Sequence, residues 1–589
     1  MRSKILYGLA LAAALPSHAQ LTTPLCPGNT LAAGDFKAVE LFNRSGANGA
    51  AADPDLTEPT KADIRVVNNA SGQYDHTDII FTERTGNVKW YDGVAKKVTL
   101  MGKLTVHAAP GSQDDNGLMG VVFHPDFEKN RWVYLWYTPK QTYHRDNETT
   151  GGLNRQMRLA RFTVTQDNKL DMASEKILFK ILGSKTDTWH CGGPMQFDAY
   201  GDLWVGVGNN GPDLDPGACD AGNNVLSKTD STTSSEWGSS NTASLRGSFF
   251  RIHPDSTEKG YSVPKGNFGE YWADKFEQQG NATLAAQYRD PKKVLPEIYV
   301  KGERSNFSIT VHPTKRWLAW GTVNYGTTND EFNITNHPVF TGFPYFHNAN
   351  VATCSHGKSV EAPTNNSPLN SGVTTLPPAI GGTINNLVNV AIGGPIYSFD
   401  PALNNTFKFP PHFDNKWLVS GFGRSGTPDI WAVTIDTTKD PFKTLNTTAL
   451  RGNIFKDVPV RNFIGAKYGK DGALYITNYD GDYGTARNPG VVRVTYQGTC
   501  NVVSVAPQKP IAPYQKIWID PQGIMVGEKG PHAVSLYDLA GQRVWSRAGT
   551  GPQLYRATEI RSQASLKSGV YMAKVTTPAG EISRRISIF

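Results

Sequence analysis

The stretch Asn116-Gly-Leu-Met-Gly-Val-Val-Phe-His-Pro-Asp-Phe127, running on into Arg131-Trp-Val-Tyr-Leu-Trp-Tyr137, decides the reading of the chain. A loop of small residues opens into an apolar run, a His-Pro-Asp turn follows, and a second run rich in aromatics comes back. Short apolar runs bounded by turn residues are strand signals, and two so close in sequence make a hairpin. Asp114 and Asp115 stand just before the glycines, where a loop can aim a carboxylate into a cavity.

The same unit recurs on both sides. Its clearest copies are Met195-Gln-Phe-Asp-Ala-Tyr-Gly-Asp-Leu-Trp-Val-Gly-Val207, Ile309-Thr-Val-His-Pro-Thr-Lys-Arg-Trp-Leu-Ala-Trp320 and Ala466-Lys-Tyr-Gly-Lys-Asp-Gly-Ala-Leu-Tyr-Ile476. Asp78-Ile-Ile-Phe-Thr-Glu-Arg-Thr-Gly-Asn-Val-Lys-Trp90 is a further hairpin, with Thr-Gly at its turn. Repeated hairpins at irregular spacing predict the blades of a β-propeller carrying insertions; a β-sandwich, which also alternates apolar and polar residues, is the other all-β reading. The polar segments 211–245 and 350–392 are expected as surface loops that wall a site. One helix is expected, over about residues 269–287.

After Tyr496 the repeat stops. Residues 501–514 carry three prolines and read as a linker. Residues 515–589 form a compact β pattern, with Val534-Ser-Leu-Tyr-Asp-Leu-Ala-Gly-Gln-Arg-Val-Trp545, Leu566-Lys-Ser-Gly-Val-Tyr-Met-Ala-Lys-Val575 and Arg584-Arg-Ile-Ser-Ile-Phe589 as its strands. The expected organisation is a signal peptide (1–19), a propeller (20–500), the linker, and a small β-sandwich (515–589).

At the N-terminus, Arg2 and Lys4 precede the apolar run Ile5 to Leu15, and Ser17-His-Ala19 offers small residues for cleavage. That is the layout of an export signal, too short to span a bilayer. The expectation is a secreted chain, extracellular or on the outer cell surface, with the periplasm as the alternative. Basic residues number 59 against 52 acidic, but 515–589 alone carries ten against five, and Arg2 and Lys4 supply the rest of the excess. The body is balanced, which argues against a nucleic-acid binder. Glycine (58), proline (37) and an aromatic content of 11% suit many short strands joined by turns. Five cysteines, Cys26, Cys191, Cys219, Cys354 and Cys500, invite disulfides in an exported protein. Pairing Cys26 with Cys500 would fasten the ring, and Cys191 with Cys219 would close an insertion; the spacing alone does not choose.

The Asn116–Tyr137 block and the order of the motifs after it resemble the quinoprotein glucose and sorbosone (aldose sugar) dehydrogenase family. That resemblance implies a six-bladed β-propeller, pyrroloquinoline quinone and Ca²⁺ as cofactors, a sugar as substrate and an external electron acceptor. Trp189-His-Cys-Gly-Gly193 would place His190 as the general base toward the sugar C1 hydroxyl, a task suited to imidazole. Asp115 would orient that base or bind a substrate hydroxyl. Pro296-Glu-Ile-Tyr-Val-Lys-Gly-Glu-Arg304 resembles the family signature that ends in the arginine polarising the quinone carbonyl, with Ser305 standing where the family has asparagine. Lys301, Arg424 and Asn209 are the remaining cofactor-binding candidates, and Asn209 replaces a family aspartate. Val323-Asn-Tyr-Gly-Thr-Thr-Asn-Asp-Glu-Phe-Asn-Ile334 resembles the calcium loop, making Tyr325, Gly326, Asp330 and Glu331 the metal candidates, all oxygen donors as Ca²⁺ requires.

The tail, 515–589, resembles C-terminal sorting domains of the type IX secretion class, which implies secretion machinery as a partner; a carbohydrate-binding or spacer sandwich is the other reading. Two further functional readings stay open: a non-catalytic propeller that binds polysaccharide or a surface partner, and a calcium-dependent lactonase-like hydrolase.

Overall fold

The computed structural model describes residues 31–108, 111, 115–140, 156–182, 189–210, 238–324, 330–352, 359–365, 370–423, 429–482, 484–498, 517–520, 523–527, 530–578 and 580–588. The expected signal peptide, the linker, Asp114, Tyr325, Gly326, Arg424 and four of the five cysteines (Cys26, Cys219, Cys354, Cys500) lie outside these residues.

Six antiparallel sheets follow one another along the chain. The first runs from Pro59–Asn68 to Lys97–Lys103, and the second from Leu118–Phe123 to Leu170–Leu182. The third is built on Met195–Phe197, Leu203–Val207, Ser248–Pro254 and Ile298–Lys301. The fourth begins with a first strand broken into Ser305–Asn306 and Thr310–Val311, and continues through Leu318–Val323 and Glu331–Thr335. The fifth spans Ala391–Ile396 to Lys443–Ala449. The sixth takes Phe463–Tyr468, Leu474–Asn478 and Gly490–Tyr496 from the end of the segment and Phe36–Asn43 from its start. The first strand of each sheet touches the first strand of the next, and the sixth returns to the first. The fold is a β-propeller.

Physical chemistry explains the repeat. Each blade must bury both faces against its neighbours, and in five of the six the second strand carries a large aromatic wedge: Trp136, Trp204, Trp320, Trp417 and Tyr475 are all fully buried. The hairpin turn supplies the partner that a buried indole or phenol needs. Trp204 Nε1 donates to Asp198 at 2.9 Å, and at the matching place Tyr475 donates its hydroxyl to Asp471 at 2.9 Å. This is why Phe197-Asp-Ala-Tyr-Gly-Asp-Leu-Trp204 and Tyr468-Gly-Lys-Asp-Gly-Ala-Leu-Tyr475 look alike.

The ring closes through pairing of distant strands, Phe36 opposite Tyr496 and Asn43 opposite Gly490. Arg461 clamps the joint by donating to both carboxylate oxygens of Glu40, at 2.9 and 3.2 Å.

Two expectations need correcting. The helix expected over 269–287 is two, Phe268–Gln278 and Ala282–Arg289. Gly280 takes a left-handed φ of 79°, and Asn281 then caps the second helix by accepting the Leu284 N–H at 3.0 Å. The 350–392 insertion is not confined to the surface: Val373 and Leu376 are buried in the third-sheet core, and Tyr288 donates its hydroxyl to the Thr375 carbonyl at 2.9 Å.

Beyond the ring, the strands Ile517–Asp520, Gly523–Val526 and Gln553–Arg556 form one sheet, and Pro531–Tyr537, Arg543–Thr550, Gly569–Thr577 and Gly580–Ile588 another. The two share a core that includes Ile524, Val534, Tyr555, Ala573, Val575 and Ile586, as a small sandwich does. Arg556 reaches from this unit to Glu270 and Asp274 on the Phe268–Gln278 helix. Among the described residues, no helix is long and apolar enough to cross a membrane.

Candidate active site

The residues singled out in the sequence gather at one end of the ring, where first strands begin and second strands finish. His190 stands ahead of Met195–Phe197, Asp115 ahead of Leu118–Phe123, and Arg304 ahead of Ser305–Asn306. Asn209 follows the second strand of the third sheet, Leu203–Val207.

His190 is buried and sits in left-handed backbone, φ 57°. Gly192 and Gly193, at φ 75° and 116°, then turn the chain into the strand. A Cβ on Gly193 would lie 2.7 Å from that of Met119 and 2.9 Å from Trp136 Cδ1, so no other residue fits there. The Trp136 indole donates to the Cys191 carbonyl at 3.0 Å and pins the turn from the neighbouring blade. Cys191 itself is buried, and Asn210 Nδ2 lies 3.4 Å from its Sγ.

Asn209 joins the two residues on which the chemistry would rest. Its Oδ1 lies 2.7 Å from His190 Nδ1. Since Oδ1 can only accept, the imidazole carries its proton at Nδ1, and Nε2 is the basic nitrogen. The backbone N–H of the same asparagine donates to the Arg304 carbonyl at 2.7 Å. Arg304 in turn donates NH1 to the carbonyls of Val323 and Asn324, at 2.8 and 3.1 Å. One fully buried asparagine thus holds the imidazole of His190 by its side chain and the main-chain carbonyl of Arg304, more than a hundred positions further on, by its backbone N–H. Asn209 Nδ2 is buried without a hydrogen-bond partner among the described residues, a donor available to an acceptor at the site.

Sequence reading missed a cation behind this arrangement. Arg246, fully buried, donates Nε to the Asn209 carbonyl and NH2 to the Asn210 carbonyl, both at 2.7 Å. Only its place in a basic-then-glycine pair, Arg246-Gly247, distinguishes it in the sequence. A second missed pair is Glu58 with Arg84, buried at 2.9 Å where the first sheet opens onto the same end.

Other candidates are placed differently from what the resemblance implies. Lys301 is fully buried, with its ammonium on the carbonyls of Gly238, Ser244 and Arg246, so it ties down the 238–246 segment rather than facing a cofactor. Ser305 is buried in the ladder opposite Val323. Asp115 is buried at the head of its strand, on the blade adjoining that of His190.

Asp330 accepts the N–H groups of Asn324 and Ala391, at 3.0 and 3.1 Å. Burial pushes it up to about 6, with the Arg304 charge pulling the other way. Glu331 takes Asn333 Nδ2 at 2.9 Å and feels Glu303 instead. The two metal candidates thus answer to different neighbours. Among the described residues, no group of three or more His, Cys, Asp or Glu is placed to hold a metal ion.

Glu303 and Glu331 form a buried acidic pair. Glu303 accepts the Thr322 hydroxyl at 2.7 Å, and Thr322 stands opposite Glu331 in the ladder. Burial pushes Glu303 up to about 7 and Glu331 up to about 8, where the nearby Glu303 charge adds to the rise. The folded chain therefore keeps protons that the unfolded chain releases near 4.5, so stability falls as pH rises from there toward 8. The melting temperature is expected to drop by a few degrees between pH 5 and pH 8, and Glu303→Gln to flatten the drop. Differential scanning fluorimetry across that range checks both.

A β-propeller with a histidine, an asparagine and an arginine locked together at one end is the class of protein these observations define. Residues 72–256 match the model of the glucose / sorbosone dehydrogenase family, the family that the sequence resembles. An uncharacterized protein of Synechocystis is 23% identical over 349 residues, which cover 56% of this chain and 72% of that protein. Among solved structures, the soluble aldose sugar dehydrogenase of Escherichia coli in its apo-form is 16% identical, with 78% of this chain and 99% of that one covered and a TM-score of 0.45. The PQQ-bound aldose sugar dehydrogenase of Streptomyces coelicolor is 15% identical, with 74% and 99% covered and a TM-score of 0.43.

Proposed function

We propose that this chain is a secreted oxidoreductase of sugars that removes hydride from the C1 of an aldose, or from a related polyol or aldehyde, and passes the electrons to an external acceptor. The observation that carries the reading is the Asn209 link between His190 and Arg304. His190 Nε2 takes the proton of the C1 hydroxyl, and Nδ1, held by Asn209, keeps the ring in the right tautomer and orientation. Arg304 supplies fixed positive charge where an acceptor carbonyl gains negative charge. Pyrroloquinoline quinone, when bound, would supply the two-electron acceptor, and Arg304 and the Asn209 Nδ2 donor are the described groups that would hold it. Calcium, which the resemblance implies, finds no gathered ligand set among the described residues, and no step here depends on it. Export rests on the N-terminal segment, and recognition by a secretion machinery on residues 515–589.

Titrating the purified chain with pyrroloquinoline quinone, with and without Ca²⁺, tests the reading. Saturable quinone binding followed by sugar-dependent dye reduction is expected. A second reading, a propeller that binds a glycan without redox chemistry, is favoured by Lys301, whose ammonium is taken up by three backbone carbonyls, and by Ser305, buried in the ladder opposite Val323. It would show glycan binding and no quinone uptake.

A further inference from the structure

A cavity of about 50 Å³ lies at the middle of the ring. Five of the six sheets contribute to its wall: Lys61 from the first, Pro194 from the edge of the third, Ser308 from the fourth, Gly393 from the fifth, and Ile464 and Lys467 from the sixth.

Its polar groups are unequally matched. Lys61 Nζ donates to the Ile464 carbonyl at 3.3 Å and stands 5.4 Å from the centre of the Phe307 ring. No carboxylate among the described residues pairs with it. The neighbouring ammonium, Lys467, has Asp63 at 2.7 Å, and the other oxygen of Asp63 takes the Phe123 N–H at 2.8 Å. Two positive charges therefore share one negative. Ser308 adds a donor. Its Oγ accepts N–H bonds from Gly321 at 3.0 Å and Gly393 at 2.8 Å, which occupy both lone pairs and leave its hydrogen to be given elsewhere. Burial, reinforced by the Lys467 charge, pulls the Lys61 amine down to about 7, the behaviour of an ammonium that lacks a counter-charge.

We infer that this cavity binds a single small anion of halide size, held between the Lys61 ammonium and the Ser308 hydroxyl. The volume selects the class. Pockets for sugars and cofactors run to roughly 300–1,000 Å³, and 50 Å³ admits a monatomic anion but no aldose or polycarboxylate. A partly buried ammonium with no carboxylate partner among the described residues is costly, and an anion beside Lys61 offsets that cost. Neither His190 nor Arg304 lines the cavity, and the inference does not depend on the oxidoreductase reading.

The test compares melting of the full chain in sodium chloride and in sodium gluconate, whose anion is too large for the cavity, at equal ionic strength. Chloride is expected to raise the melting temperature along a saturating curve. Lys61→Met, which keeps the apolar stem, should melt alike in both salts, and Lys61→Gln serves if the methionine variant does not fold. Crystals grown in sodium bromide should show an anomalous peak between Lys61 and Ser308 that the variant lacks. Equal melting of the parent chain in the two salts, or no peak at that position, overturns the inference. So does a chloride effect that persists undiminished in the variants, which would mark an adventitious ion only.

Discussion

Replacing His190 with alanine should lower sugar-dependent dye reduction by about 10²–10⁴-fold, the usual worth of a positioned general base. Quinone affinity should change far less, because the residue acts on the substrate proton. The left-handed backbone at His190 adds a small folding cost for alanine. His190→Asn is the better companion, since asparagine tolerates that conformation while offering no imidazole. Steady-state rates with a dye acceptor, measured beside melting temperatures, separate lost chemistry from lost fold. Unchanged rates in both variants would remove His190 from the reaction.

The second large effect is expected at Arg246. Arg246→Met keeps the bulk but leaves the carbonyls of Asn209 and Asn210 without their donor. A buried acceptor left unmatched costs about 1–3 kcal/mol, so the loss of stability should be about 2–6 kcal/mol for the two. Activity should fall further than folding alone explains, because Asn209 positions both the imidazole and the Arg304 backbone. Chemical denaturation gives the first quantity. Rates at a temperature where the variant is fully folded give the second. A variant as stable and as active as the parent would deny Arg246 the supporting place assigned to it.

What the sequence disclosed follows from what each signal depends on. The blades were legible because the aromatic second strand and its turn carboxylate are local, as in Asp198 with Trp204 and Asp471 with Tyr475. Motif order singled out His190 and Arg304, which the fold brings to one end of the ring. Arg246 was not, because its two acceptors are backbone carbonyls 36 and 37 positions away, and a carbonyl leaves no mark on composition. Lys301 was misread for the same reason: three carbonyls hold its ammonium, where a cofactor carboxylate was expected. The break at Gly280 and Asn281 is written locally, yet the apolar spacing on both sides ran across it. Lys61 gave no signal, since its environment is assembled from strands that only the closed ring brings together.

That closed ring has a consequence for how the protein is made. The strand Phe36–Asn43 emerges early from the ribosome, but its partner Gly490–Tyr496 is synthesised last of the propeller. Until then one edge of the first strand stays open, its other edge pairing only with the short strand Ala51–Ala52, and the loop to be closed is among the longest the chain contains. Folding dominated by such distant pairings is slow and leaves unpaired edges open to aggregation. A nascent chain halted before Gly490 would hold five sheets and an unsealed rim, so holding factors that shield strand edges should matter more to its yield than the final stability of the ring.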